Sequence, residues 1–91
     1  MFVEIVKRAS AGTMESSDAY VEIEPGTGCV ELQLDSVVEG QFGDAIRGAV
    51  MEILAEQGVK NASVRVVDRG ALECVIRARV ETAVLRGKGD A

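Results

Sequence analysis

Ala19-Tyr20-Val21-Glu22-Ile23-Glu24-Pro25-Gly26-Thr27-Gly28-Cys29-Val30-Glu31-Leu32-Gln33-Leu34-Asp35 alternates apolar and polar residues on both sides of a Pro/Gly turn. Ala19, Val21 and Ile23 share one face of the first run, with Tyr20, Glu22 and Glu24 on the other. In the second run Val30, Leu32 and Leu34 alternate with Glu31, Gln33 and Asp35. A period of two is that of a half-buried strand. Pro25-Gly26-Thr27-Gly28 is a strong turn signal. Two such runs joined by this turn predict an antiparallel hairpin.

Downstream, the period changes at Ser36. Val38, Phe42, Ala45, Ile46, Ala49, Ile53 and Leu54 recur at spacings of three and four, the pattern of an amphipathic helix. Ser36 followed by Glu39 has the spacing of a capping box. Gly58 fits the left-handed residue just past the helix end. Gly40, Gly43 and Gly48 weaken a helix, which predicts close packing along that line. Asn61 to Asp68 alternates again, with Ala62, Val64 and Val66 on one face. Asp68-Arg69-Gly70 reads as a turn. A second amphipathic stretch carries Leu72, Val75, Ile76, Val80, Ala83 and Val84, and the polar tail from Arg86 to Ala91 is expected to fray.

Upstream of the hairpin lie Phe2 to Val6, rich in strand formers, and a small polar segment, Ala11-Gly12-Thr13-Met14-Glu15-Ser16-Ser17-Asp18. Thr13 and Met14 fit the end of a first strand, and Glu15 to Asp18 a turn. The predicted order is β-β-β-α-β-α: an α+β fold in which a small antiparallel sheet is covered on one face by two helices. At 91 residues the chain reads as a single domain, 1–91, with 1–8 and 87–91 as candidate loose ends.

Composition narrows the function classes. Apolar residues are 47% and aromatics 3%, so the core is aliphatic. A net charge of −5 with no basic stripe argues against nucleic acid and against an anionic membrane surface. The chain has no histidine. That removes the usual general base, the Ser-His and Cys-His nucleophile pairs, and the commonest metal ligand. Cys29 and Cys74 form no C-x-x-C, so neither a zinc site nor a redox motif is expected. Both lie in apolar-periodic segments and are expected to pack as small hydrophobes. The chain lacks a signal-peptide layout and any apolar run of membrane-spanning length. The expectation is a cytoplasmic protein that is not an enzyme.

Several sharper readings of individual residues have blander competitors. Asp35-Ser36-Val37 is close to the Asp-Ser-Leu site at which ordinary acyl carrier proteins bear phosphopantetheine. Those carriers are helical bundles, however, and strand-like runs surround this tripeptide. Glu15 and Asp18 lack a companion base and read as solvated turn acids. Gly26-Thr27-Gly28 precedes no helix, so it offers no phosphate cradle. Arg77 and Arg79 read as a solvated helix face.

From Ala11 to Asp18 the sequence resembles the acyl carrier protein, or gamma subunit, of citrate lyase, which carries Ala-Gly-Thr-Leu-Glu-Ser-Gly-Asp in the same place. The resemblance continues from Ser36 to Arg47 and from Asp68 to Glu81, covering about residues 9 to 86. It implies a carrier whose serine, matched here by Ser16, bears triphosphoribosyl-dephospho-coenzyme A through a phosphodiester. It further implies three partners. The alpha (transferase) subunit exchanges acetyl for citrate on the carried thiol, releasing acetate. The beta (lyase) subunit cleaves the citryl thioester to oxaloacetate and the acetyl carrier. A dedicated prosthetic-group transferase attaches the arm. Met14 replaces the family's Leu at similar volume. Ser17 replaces its Gly, which alters the turn chemistry and makes Ser17 a rival attachment hydroxyl. The alternatives are the delta subunit of malonate decarboxylase, which uses the same kind of group, and an interaction module bearing none.

Overall fold

The computed structural model describes residues 2–89. In chain order its elements are β1 (Ala9–Gly12), β2 (Ala19–Glu24), β3 (Val30–Ser36), α1 (Glu39–Glu56), β4 (Ala62–Asp68) and α2 (Glu73–Gly87). The α+β class and the element order match the sequence expectation. The sheet does not: it is mixed rather than purely antiparallel, with strand order β1-β2-β4-β3. β2 pairs antiparallel with both β1 and β4, whereas β3 runs parallel to β4.

The predicted hairpin is therefore corrected. β2 and β3 do not pair, because β4 is inserted between them. Parallel neighbours need a crossover connection, and α1 supplies it between β3 and β4. The Pro25–Gly28 segment arches over the start of β4 instead of closing a hairpin. A β-carbon on Gly26 would lie 2.5 Å from Asn61 Oδ1 and 2.7 Å from the Ala62 nitrogen. Asn61 Oδ1 accepts a hydrogen bond from the Gly28 N–H at 2.8 Å, and the Ala62 N–H donates to the Cys29 carbonyl at 3.1 Å. Burial explains the order. Ala62, Val64, Val66, Val67 and Asp68 of β4 are all buried, as suits a central strand, whereas β3 keeps Glu31, Gln33 and Asp35 exposed at the edge.

Both helices pack on the inward face of the sheet. Val21, Ile23, Val64 and Val66 meet Ile46, Val50, Ile53 and Leu54 of α1 and Ile76, Val80, Ala83 and Val84 of α2. The helical spacing of the last eight residues is what brings them onto single stripes. α1 ends in a Schellman motif: Gly58 has φ +78°, its N–H donates to the Ala55 carbonyl, and the Val59 N–H donates to that of Leu54. Its start differs from the expected capping box. Ser36 remains the last residue of β3, paired with Asp68, and Val38 occupies the N-cap without a side-chain bond. The expected close packing at the helix glycines fails at two positions. A β-carbon on Gly40 or Gly48 would meet nothing within 4 Å, while Gly43 is buried. Cys29 and Cys74 are exposed free thiols, not core residues.

The N-terminal segment lies along the helices. Val3 bridges Val59, Ile5 is buried, and the N–H groups of Val6 and Lys7 both donate to the Gly87 carbonyl. Asp90 and Ala91, in the tail expected to fray, lie outside the described residues.

Candidate functional site

β1 ends at Gly12, and the chain re-enters the sheet at Ala19. Gly12 has φ +91°, and a β-carbon there would fall 1.9 Å from the Ala19 carbonyl oxygen. Only glycine permits strand ends this close. The first strand is thus Ala9–Gly12, with Thr13 and Met14 already in the loop.

Within the loop, the Asp18 N–H donates to the Glu15 carbonyl at 3.1 Å, closing a four-residue turn with Ser16 and Ser17 at its centre. Ser17 has φ +66°, the one left-handed non-glycine residue among those described. That conformation suits a glycine at the third turn position. The Ser16 and Ser17 side chains are both exposed. Neither hydroxyl makes a hydrogen bond to another described residue.

Asp18 holds the loop shut. Its carboxylate accepts from the Thr13 hydroxyl at 2.7 Å and from the Ala19 N–H at 2.7 Å. Arg79 of α2 donates to both oxygens, Nε to Oδ1 at 3.0 Å and a terminal nitrogen to Oδ2 at 3.1 Å. Bidentate pairing of this kind fixes direction as well as distance. The Thr13 hydroxyl, then Arg79, then the Ala19 N–H hold the Asp18 carboxyl far below the usual aspartate range. Its side chain is 16% exposed, so Asp18 is not the solvated turn acid expected from sequence, and Arg79 is not simply solvated. Arg77 is not either: it pairs with Glu52 and Glu73. Glu15 does stand exposed.

The opposite side of the loop is fastened to the turn after β4. The Ser17 N–H donates to the Arg69 carbonyl at 2.8 Å, and the Arg69 N–H to that of Asp18 at 3.0 Å. That turn is itself braced by Asp68, which is 1% exposed. Its carboxylate accepts from the Ser36 hydroxyl at 2.8 Å and from the N–H groups of Gly70 and Ala71 at 3.2 and 2.9 Å. Ser36 also accepts from the Val38 N–H. Unlike Ser16, it is committed to internal bonds.

The three stretches that carry the family resemblance, distant in sequence, therefore converge on one turn, 68–70. The Asp18–Arg79 and Ser36–Asp68 links were missed in the sequence. Their partners are 61 and 32 residues apart, and only the shared membership of both ends in those stretches hinted at them.

Chemically, the loop presents two primary alcohols, Ser16 Oγ and Ser17 Oγ, on a backbone fixed from both sides. Such a hydroxyl suits a phosphodiester. It is open to solvent, and it spends no hydrogen bond to another described residue when esterified. No group of three or more His, Cys, Asp or Glu side chains able to hold a metal exists among the described residues. No described helix is long and apolar enough to cross a membrane. What the fold and site define is an α+β scaffold that displays one pinned loop at its surface.

Comparison with known proteins gives the family. The family model described as malonate decarboxylase delta subunit (MdcD) matches residues 6–87. A citrate lyase acyl carrier protein of Vibrio cholerae is 54% identical over 85 residues, covering 92% of this chain and 87% of its own. One from Klebsiella pneumoniae is 56% identical over 79 residues, covering 86% and 81%. In fold, the chain is similar to a chain of a crystal structure of a Pseudomonas malonate decarboxylase hetero-tetramer in complex with malonate. The TM-score is 0.76 at 22% identity, over 93% of this chain and 88% of that one. The chain belongs to this acyl carrier family, whose members are carriers and not catalysts.

Proposed function

We propose that this chain is the acyl carrier subunit of a cytoplasmic citrate lyase complex, and that Ser16 carries triphosphoribosyl-dephospho-coenzyme A. The observation that carries the reading is the exposed, internally unbonded Ser16 hydroxyl at the tip of a loop clamped by Asp18, Arg79 and Arg69. Relatives named citrate lyase acyl carrier proteins, at 51% to 56% identity, support the choice of complex.

During attachment, the Ser16 oxygen forms the new P–O bond. Its proton passes to a base of the prosthetic-group transferase, and the donor's bond to its leaving group breaks. The chain's share of that step is to hold Ser16 outward. Once in place, the arm supplies a thiol for acyl transfer. The alpha subunit would exchange acetyl for citrate there, and the beta subunit would release oxaloacetate. The protein contributes tethering, which raises the local concentration of the acyl group at both subunits.

Peptide mapping of the native protein by mass spectrometry tests group and site together. The expected result is an adduct of coenzyme A-derivative mass on the Ser16 peptide. Absence of any adduct in a host with active maturation enzymes would overturn the carrier reading. A Ser16→Ala variant that still acquires the group would move the site to Ser17. The description of the matching family model favours a second reading, the delta subunit of a malonate decarboxylase. The large subunits that co-purify separate the two.

A further inference from the structure

Beside the turn 68–70 a cleft of ≈ 190 Å³ opens between the first turns of α1 and α2. Phe42, Ala45, Ile46 and Ala49 form one wall, and Ala71 and Ile76 the other. The floor is the buried Asp68, and Glu73 stands at the rim. Phe42 is 50% exposed and Ala45 is exposed, so the wall is open to what lies outside. The volume is well below the roughly 300–1,000 Å³ of pockets for larger ligands. It suits a group of a few heavy atoms.

The cleft and the Ser16 loop are two sides of one turn. Ser17 is hydrogen-bonded to Arg69, and Ala71 is two residues further on. Summing consecutive Cα steps and one cross-strand spacing places Ser16 within about 17 Å of the cleft wall. A coenzyme A-sized arm is long enough to fold back that far.

We propose that this cleft receives the acetylated end of the arm borne by Ser16. The inference rests on the carrier reading above and adds a resting place for the acyl group between subunits. An acetyl thioester is small, uncharged and mostly apolar, which matches the alanine, isoleucine and phenylalanine walls. A citryl group is larger and carries carboxylates, which Asp68 and Glu73 repel. The cleft thus holds one loaded state and leaves the other exposed. Tethering makes a weak site sufficient, because a flexibly linked group is present at about millimolar effective concentration.

The test uses the holo-protein in thiol, acetyl and citryl forms. Methyl spectra should show shifts at Ala45, Ala49, Ala71, Ile46 and Ile76 on acetylation, and none on citryl loading. Hydroxylamine should deacetylate the carrier about twofold more slowly than free acetyl-coenzyme A, the protection given by a cleft that is half-filled at that effective concentration. Ala45→Phe, at an exposed helix position, should fill the cleft and abolish both effects, and Ala71→Leu is a second filling variant. Unmoved cleft methyls, or deacetylation as fast as that of free acetyl-coenzyme A, would overturn the cleft assignment while leaving the carrier intact. No adduct by intact mass would instead overturn the carrier reading, and the cleft assignment with it.

Discussion

Replacing Ser17 by glycine is expected to stabilise the protein. Ser17 sits at φ +66°, where a β-carbon crowds the backbone at a cost of about 1–2 kcal/mol. Its hydroxyl makes no hydrogen bond to another described residue, so removing the side chain sacrifices none. Glycine brings a more flexible unfolded chain, which offsets about 0.4–1 kcal/mol of the gain. The net stabilisation is about 0.5–1 kcal/mol, or about 3–6 °C in melting temperature for a domain of this size. Thermal unfolding followed by circular dichroism measures it, with Ser17→Ala as the control. Alanine keeps the β-carbon and should show no such gain. A Ser17→Gly variant that melts at or below the wild-type temperature would refute the strain argument. The same variant bears on the attachment site, because its modification at wild-type level removes Ser17 as a rival to Ser16.

Gly12→Ala should destabilise by about 3 kcal/mol, since the new β-carbon meets the Ala19 carbonyl at 1.9 Å and φ is +91°; urea unfolding reads it. Gly48→Ala should do the reverse, stabilising α1 by about 0.5–1 kcal/mol, because the position is helical, exposed and unobstructed. Asp18→Asn should lower the melting temperature at pH 7 and loosen the loop. The folded pKa of Asp18 is depressed, so its stabilisation is complete above the ordinary carboxylate value and fades as pH falls through the folded one. The difference between wild type and Asp18→Asn should therefore shrink below about pH 4. Melting curves recorded from pH 7 to 2 would show a constant difference if Asp18 contributes no charge-dependent clamp.

Local pattern made much of this legible. Alternation located β2, β3 and β4, because a half-buried strand must place every second side chain inward. The three-four spacing located both helices, and Gly58 marked the end of α1. Strand order was not legible, because β2 and β3 carry equally good alternation whether paired with each other or with β4. What distinguishes the two arrangements is the close passage of Gly26 over Asn61 and Ala62 and the deeper burial of β4, and both are long-range facts. The helix start was misplaced for a similar reason. Ser36 has good capping chemistry, but pairing with Asp68, 32 residues away, holds it in β3, and its oxygen accepts from Val38, before the helix begins.

The sequence by itself determined the elements and, through the motif Ala11 to Asp18, which hydroxyl to examine. It could not say why that hydroxyl stands clear. Tertiary structure decided that, by bringing Arg79 to Asp18, Arg69 to Ser17 and Ser36 to Asp68 around a single turn. Hydrogen bonds between residues dozens of positions apart leave no periodic signature in a chain. The clamp that fixes this polar loop emerges only when the sheet and α2 are packed together.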